Sequence, residues 1–85
     1  MMQHHLSIQA RFRPEILERI LRVVRHRGFR VCTMNLASVN NTDSVNIEMT
    51  VASQRSVDLL STQLSKIMDV AYVQIQHQTT QQIRA

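Results

Sequence analysis

Four histidines, one cysteine and six carboxylates are the side chains of this 85-residue chain best suited to acid–base, nucleophilic or metal chemistry. Acid–base or nucleophilic catalysis needs such groups placed together in one pocket, within hydrogen-bond reach of each other. Their spacing argues against it. His4 and His5, His26 and His77 lie on three separate segments, and neighbours such as His4 and His5 point to opposite faces of a strand, which makes a poor metal pair. Cys32 sits inside an apolar stretch and reads as a small core or edge residue. With one cysteine no internal disulfide can form, and no Cys/His spacing suggests a metal site. No catalytic residues and no metal site are therefore expected, and a free thiol fits a reduced, cytoplasmic setting.

The other conspicuous chemistry is cationic. The stretch RFRPEILERILRVVRHRGF, residues 11–29, holds six of the nine arginines, with Arg30 just beyond it, in a chain of net charge +4 and pI near 10.7. Such a run can be a nucleic-acid-binding helix or the wet side of an ordinary one. Ile16, Leu17, Ile20, Leu21, Val23 and Val24 fall within an arc of about 160° at helical spacing. Glu15, Glu18, Arg19, Arg22, Arg25 and His26 lie opposite. Glu15 precedes Arg19 by four and Glu18 precedes Arg22 by four, the favourable order for helical ion pairs. Acids lead and bases follow, as the helix dipole prefers. The spacing predicts a solvated, self-paired face, with Arg19, Arg22, Arg25 and His26 as candidates to meet an acidic partner.

The elements that position these residues follow from periodicity. Leu6, Ile8, Ala10 and Phe12 alternate with polar neighbours, the pattern of a strand with one buried face. Pro14 suits a helix start and Gly28 a helix stop. FRVCTMNLASV reads as a second strand and NNTD as its turn. Val45, Ile47, Met49 and Val51 mark a third strand. Ser53 or Ser56 can cap a second helix, along which Val57, Leu60, Leu64, Ile67 and Met68 form a narrow stripe. VAYVQIQH completes the set as a fourth strand. One domain over residues 1–77 is expected, with 78–85 as a disordered tail. No apolar run resembles a signal peptide or reaches the roughly 20 residues of a membrane span.

Strand, helix, strand, strand, helix, strand, with right-handed crossovers, predicts an α+β, ferredoxin-like βαββαβ fold: a four-stranded antiparallel sheet with two helices on one face. The first and third strands become central. Their open face would carry Ser7, Gln9, Arg11, Asn46, Glu48 and Thr50, which offer no aromatic platform for stacking bases, so nucleic acid is disfavoured. The second strand becomes an edge, and Val31, Cys32, Thr33, Met34, Asn35, Leu36 and Ala37 carry no charge and no proline to guard it. VAYVQIQHQTTQQI, at the other edge, is equally unguarded, and pairing of one edge with a second copy is expected, with Val31–Ala37 as the candidate.

RPEILERILRVVRHRGFRVCTMNL resembles the opening of the ACT domain in the small, regulatory subunits of acetohydroxyacid (acetolactate) synthase, through Pro14, Leu17, Arg19, Arg27, Gly28 and Phe29, with Ile20, Val31, Thr33 and Met34 as near matches. The likeness extends over residues 6–77, and the shortness of the chain most resembles the isozyme II type. It implies a non-catalytic subunit that binds and activates a large catalytic subunit in branched-chain amino-acid synthesis. Thiamine diphosphate, Mg2+ and FAD would belong to that large subunit. It also implies a homodimer of small subunits within a hetero-oligomer, and an effector site at Phe12, Arg13, Pro14, Glu15, Ile16 and Leu17. Phe12 and Glu15 stand where the family has Asn and Gly, so the valine site is expected to be degenerate. A free-standing ACT amino-acid-binding module is the alternative.

Overall fold

A pleated strand turns the alternation of Leu6, Ile8 and Ala10 with His5, Ser7 and Gln9 into one dry face and one wet face. The computed structural model, which describes residues 2–39 and 42–76, forms this strand as β1, Met2–Arg11, with Leu6, Ile8 and Ala10 at most 1% exposed. β1 starts earlier than the alternation predicts, because Met2, Gln3 and His4 continue the ladder opposite Ser53, Ala52 and Val51. The remaining elements are α1 (Ile16–His26), β2 (Arg30–Ser38), β3 (Ser44–Ser53), α2 (Val57–Ser65) and β4 (Val70–Gln76). The sheet order is β2-β3-β1-β4, with every pair antiparallel. This is the expected topology, with β1 and β3 central. The expected tail at 78–85, and His77 before it, lie outside the described residues.

One face of the sheet and both helices share the core. Ile16, Ile20 and Val24 of α1 and Leu60 and Leu64 of α2 pack with Val45, Ile47, Met49 and Val51 of β3. Each fully buried Leu or Ile contributes about 1.5–3 kcal/mol relative to exposure. The outer parts of the α1 arc, Leu17, Leu21 and Val23, are only partly buried and flank that core.

The helix ends are set by specific residues. Gly28 adopts φ +85, donates to the Arg25 carbonyl (3.1 Å), and lets Phe29 N–H reach back to the Val24 carbonyl (3.0 Å). That pair of bonds is a Schellman motif, and it drops Phe29 into the core beside Val24. Ser56 caps α2, its side chain accepting from Asp58 N–H at 3.2 Å. Ser53, the other candidate cap, is buried and donates to the Gly28 carbonyl (2.9 Å) instead.

The stripe expected on α2 is shorter than predicted. Helix α2 stops at Ser65, and Asp69, at φ +80, turns the chain into β4. Met68 therefore leaves the stripe and stands 75% exposed, while Ile67 still packs against the core from outside the helix. Among the described residues no helix is long and apolar enough to cross a membrane.

Candidate functional site

The β1–α1 turn is tied down at both sides. Arg11 N–H donates to the Asp69 carbonyl (2.7 Å) and Phe12 N–H to the Asp43 carbonyl, which hold the end of β1 between the starts of β4 and β3. Pro14 and Glu15 then turn the chain, and Ile16 N–H closes that turn on the Arg13 carbonyl (3.1 Å). Glu15 occupies the N-cap position but makes no capping bond with its side chain. Arg13 lies 3.8 Å from Asp69 in a half-exposed ion pair.

The six residues expected to form an effector site divide by exposure. Phe12 is 54% exposed, and Arg13, Pro14 and Glu15 are exposed as well. Ile16 is buried in the core, and Leu17 packs against it. A hollow of about 390 Å³ beside this turn is lined instead by Ala10, Arg11, Ser44, Asp69, Val70 and Ala71.

Among the described residues β2 pairs only with β3, which makes it an edge of the sheet. Cys32, Thr33, Asn35, Leu36 and Ala37 are exposed, and Val31 and Met34 are partly buried. Leu36 is 45% exposed although its partner across the ladder, Ile47, is fully buried. The edge is less unguarded than its composition suggests. The register shifts between Val31 and Thr33, so Cys32 sits in a bulge, a device that interrupts pairing at an edge. From Thr33 to Ser38 the ladder is regular.

On α1, Arg19, Arg22, Arg25 and His26 are exposed, as the arc predicts. The predicted ion pairs are not closed: among the described residues the pairs within 4.0 Å are His5–Glu48 and Arg13–Asp69. Glu15 precedes the helix proper, and an exposed pair gains only about 0.2–1 kcal/mol over water, too little to hold two long side chains together.

The open sheet face carries a network that the sequence reading missed. His5 Nε2 lies 2.8 Å from Glu48 Oε1, His5 Nδ1 lies 3.1 Å from Thr50 Oγ1, and Ser7 Oγ donates to Glu48 Oε2 at 2.7 Å. A carboxylate only accepts, so the His5 Nε2 carries the proton toward Glu48. The Ser7 hydrogen bond and the His5 contact hold the Glu48 carboxyl below its ordinary pKa. Ser7 gives its hydrogen to the carboxylate and not to the imidazole, so the two do not form the serine–histidine contact of a nucleophilic relay. The arrangement ties β1 to β3. The register places His5 opposite Thr50 and Ser7 opposite Glu48, which alternation plus strand pairing would have revealed.

Among the described residues no three His, Cys, Asp or Glu side chains gather where they could hold a metal ion. Tyr72, half-exposed and opposite Gln9, is an aromatic residue on the open face, but it stands on the edge strand β4.

The ACT-domain family model matches residues 12–73. Over 87 aligned residues, covering all of both chains, the sequence is 62% identical to the acetolactate synthase isozyme 2 small subunit of Escherichia coli K12, and equally to that of Shigella flexneri. The chain belongs to the acetolactate synthase small-subunit family. Its ACT domain superposes on the acetolactate synthase small subunit of Thermotoga maritima with a TM-score of 0.77 at 14% identity, over 88% of this chain and 47% of that one. The ACT domain of a GTP pyrophosphokinase from Chlorobium tepidum gives 0.74 at 13% identity, over 88% and 97%. At those identities the ACT fold is what is shared. The two structural neighbours carry different names on one scaffold, so the scaffold does not dictate an activity.

Proposed function

We propose that this protein is the regulatory subunit of an acetolactate synthase: it binds a large catalytic subunit and raises its activity while performing no chemistry itself. The observation that carries the reading is 62% identity over the full length of both chains. Thiamine diphosphate, Mg2+ and FAD are then held by the large subunit, and the complex works in the cytoplasm on 2-oxo acids. The open-face network supports a non-catalytic role, because its serine and histidine both serve one carboxylate.

Two small subunits pair along β2, through the regular stretch Thr33–Ala37 beyond the bulge. Exposed Leu36 supports this, since a second copy laid against the edge would remove it from water. Valine does not regulate the complex. An amino-acid ligand at the β1–α1 turn would bring its carboxylate to the start of α1, where Glu15, at the N-cap position, already places one. Like charges at about 4 Å cost on the order of 1–4 kcal/mol at effective dielectrics of 80 to 20. Phe12 offers no hydrogen bond in place of the family's Asn.

The test is reconstitution. The purified chain should not consume pyruvate, and adding it to the large subunit should raise acetolactate formation with a saturable dependence, unchanged by millimolar valine. A large subunit equally active without the chain would refute the activator reading. A calorimetric valine titration with submillimolar affinity would refute the loss of feedback.

A further inference from the structure

Four arginines of this protein gather at one place. Arg25, Arg27, Arg30 and Arg55 stand around the α1–β2 turn, lining two adjoining hollows that share Phe29 and Arg55. Their number equals the formal excess of +4 of the chain. None of the four is in an ion pair among the described residues, which include every Asp and Glu of the chain.

The backbone holds this cluster in place. Ser53 Oγ donates to the Gly28 carbonyl (2.9 Å) and accepts from Arg55 N–H (3.0 Å), which fixes the start of the Arg55 loop against the turn. Gly28 carries no Cβ, and one built there would lie 2.7 Å from Arg55 Nε, so the guanidinium rests directly over the glycine. Arg27 donates to Gln63 Oε1 (3.2 Å), which orients it from the other helix. Like charges held together without counter-charges destabilise a fold, so a cluster of this kind is matched to an anionic partner.

The shape of the hollows selects among anions. The larger, about 620 Å³, is lined by exposed arginines and open to solvent, unlike the enclosed, mostly apolar sites that bury small molecules. The smaller, about 160 Å³, has Leu59 on its rim, 61% exposed, with Phe29 at its base. Arginines around an exposed apolar residue are the composition of a protein-binding surface. We infer that the α1–β2 end, through Arg25, Arg27, Arg30 and Arg55 with Leu59, docks a carboxylate-bearing segment of the large catalytic subunit that also inserts one apolar side chain beside Leu59. The inference rests on the regulatory-subunit reading and replaces the outer face of α1, with Arg19 and Arg22, as the principal contact.

The experiment compares the affinity of the large subunit for the full chain, for R30E/R55E and for R19E/R22E at low and high salt, with folding checked by circular dichroism. R30E/R55E should weaken association at least about tenfold at low salt, with a smaller difference at high salt. R19E/R22E should change it by less than about threefold. Equal affinity for R30E/R55E and wild type, or an equal loss in R19E/R22E, overturns the docking surface. If wild type itself does not associate, the regulatory-subunit reading fails instead. Should R30E/R55E not fold, competition on the wild-type complex decides the question. A glutamate-rich peptide with one leucine should displace the large subunit better than pyrophosphate or a short DNA duplex at matched ionic strength. Equal displacement by the three would overturn the inference in favour of an indiscriminate polyanion surface.

Discussion

Replacing Gly28 with alanine tests whether backbone conformation or space selects glycine at the end of α1. Both demands are present: φ is +85, and a Cβ would meet Arg55 Nε at 2.7 Å and Arg55 Cδ at 3.2 Å. The left-handed conformation costs an L-residue about 1–2 kcal/mol. Alanine recovers about 0.4–1 kcal/mol of that by restricting the unfolded chain. The contact with Arg55 adds on the order of 0.5 kcal/mol, because the atoms met belong to a flexible, exposed side chain that can turn away. The net loss for Gly28→Ala is then about 1 kcal/mol, equivalent to roughly 4–8 °C in Tm for a domain of this size. Thermal unfolding followed by circular dichroism reads the shift directly. The same substitution in an Arg55→Ala background separates the causes: strain at φ survives removal of Arg55, so the two losses should agree within about 0.5 kcal/mol. Gly28→Asn should lose less than Gly28→Ala, since asparagine tolerates this conformation better. Full rescue of Gly28→Ala by Arg55→Ala would refute the reasoning and make space the reason for glycine.

Glu48→Gln should flatten the acid side of the stability curve. The folded pKa of Glu48 is depressed, so its contribution is present above the unfolded value of about 4.3 and is lost as pH falls through the folded value. Acid titration of wild type and variant should diverge above that window and converge below it, and parallel curves throughout would contradict the assignment. Thr33→Lys places a charge on the regular part of the β2 edge and should shift the protein from dimer to monomer in sedimentation, whereas an unchanged dimer would exclude that edge. Ser56→Ala removes the acceptor for Asp58 N–H and should cost about 0.5–2 kcal/mol in denaturant unfolding, with Ser53→Ala acting by a different route through the Gly28 carbonyl.

What could be read from the sequence is what one element's own periodicity determines. Alternation in β1 and β3 and the apolar arc of α1 place Leu6, Ile8, Ile20, Val24, Ile47 and Met49 in the core, and Gly28 ends the helix at the expected turn. The errors lie where a second element intervenes. Met68 looks like a helix residue because its spacing from Leu64 is right, but the chain leaves the helix at Ser65 and turns at Asp69, an aspartate in a backbone conformation usually marked by glycine. The bulge at Cys32 is likewise invisible in β2 alone, since it exists only as a register against β3.

The arginines show the same limit in their chemistry. Arg19 and Arg22 attract attention because they repeat along one helix face, yet glutamates on that same face offset them in number. Arg30 and Arg55 are 25 positions apart and share no pattern. They become neighbours because β2 runs antiparallel to β3, with Arg30 opposite Ala52, and because Ser53 fastens the following loop to the Gly28 carbonyl. A run of like residues in a sequence marks one helix face, whereas the folded chain also gathers Arg30 and Arg55 at the turn that ends it. The same glycine that stops the helix also admits Arg55 to that surface, so Gly28 serves the fold and the charge cluster through one missing side chain.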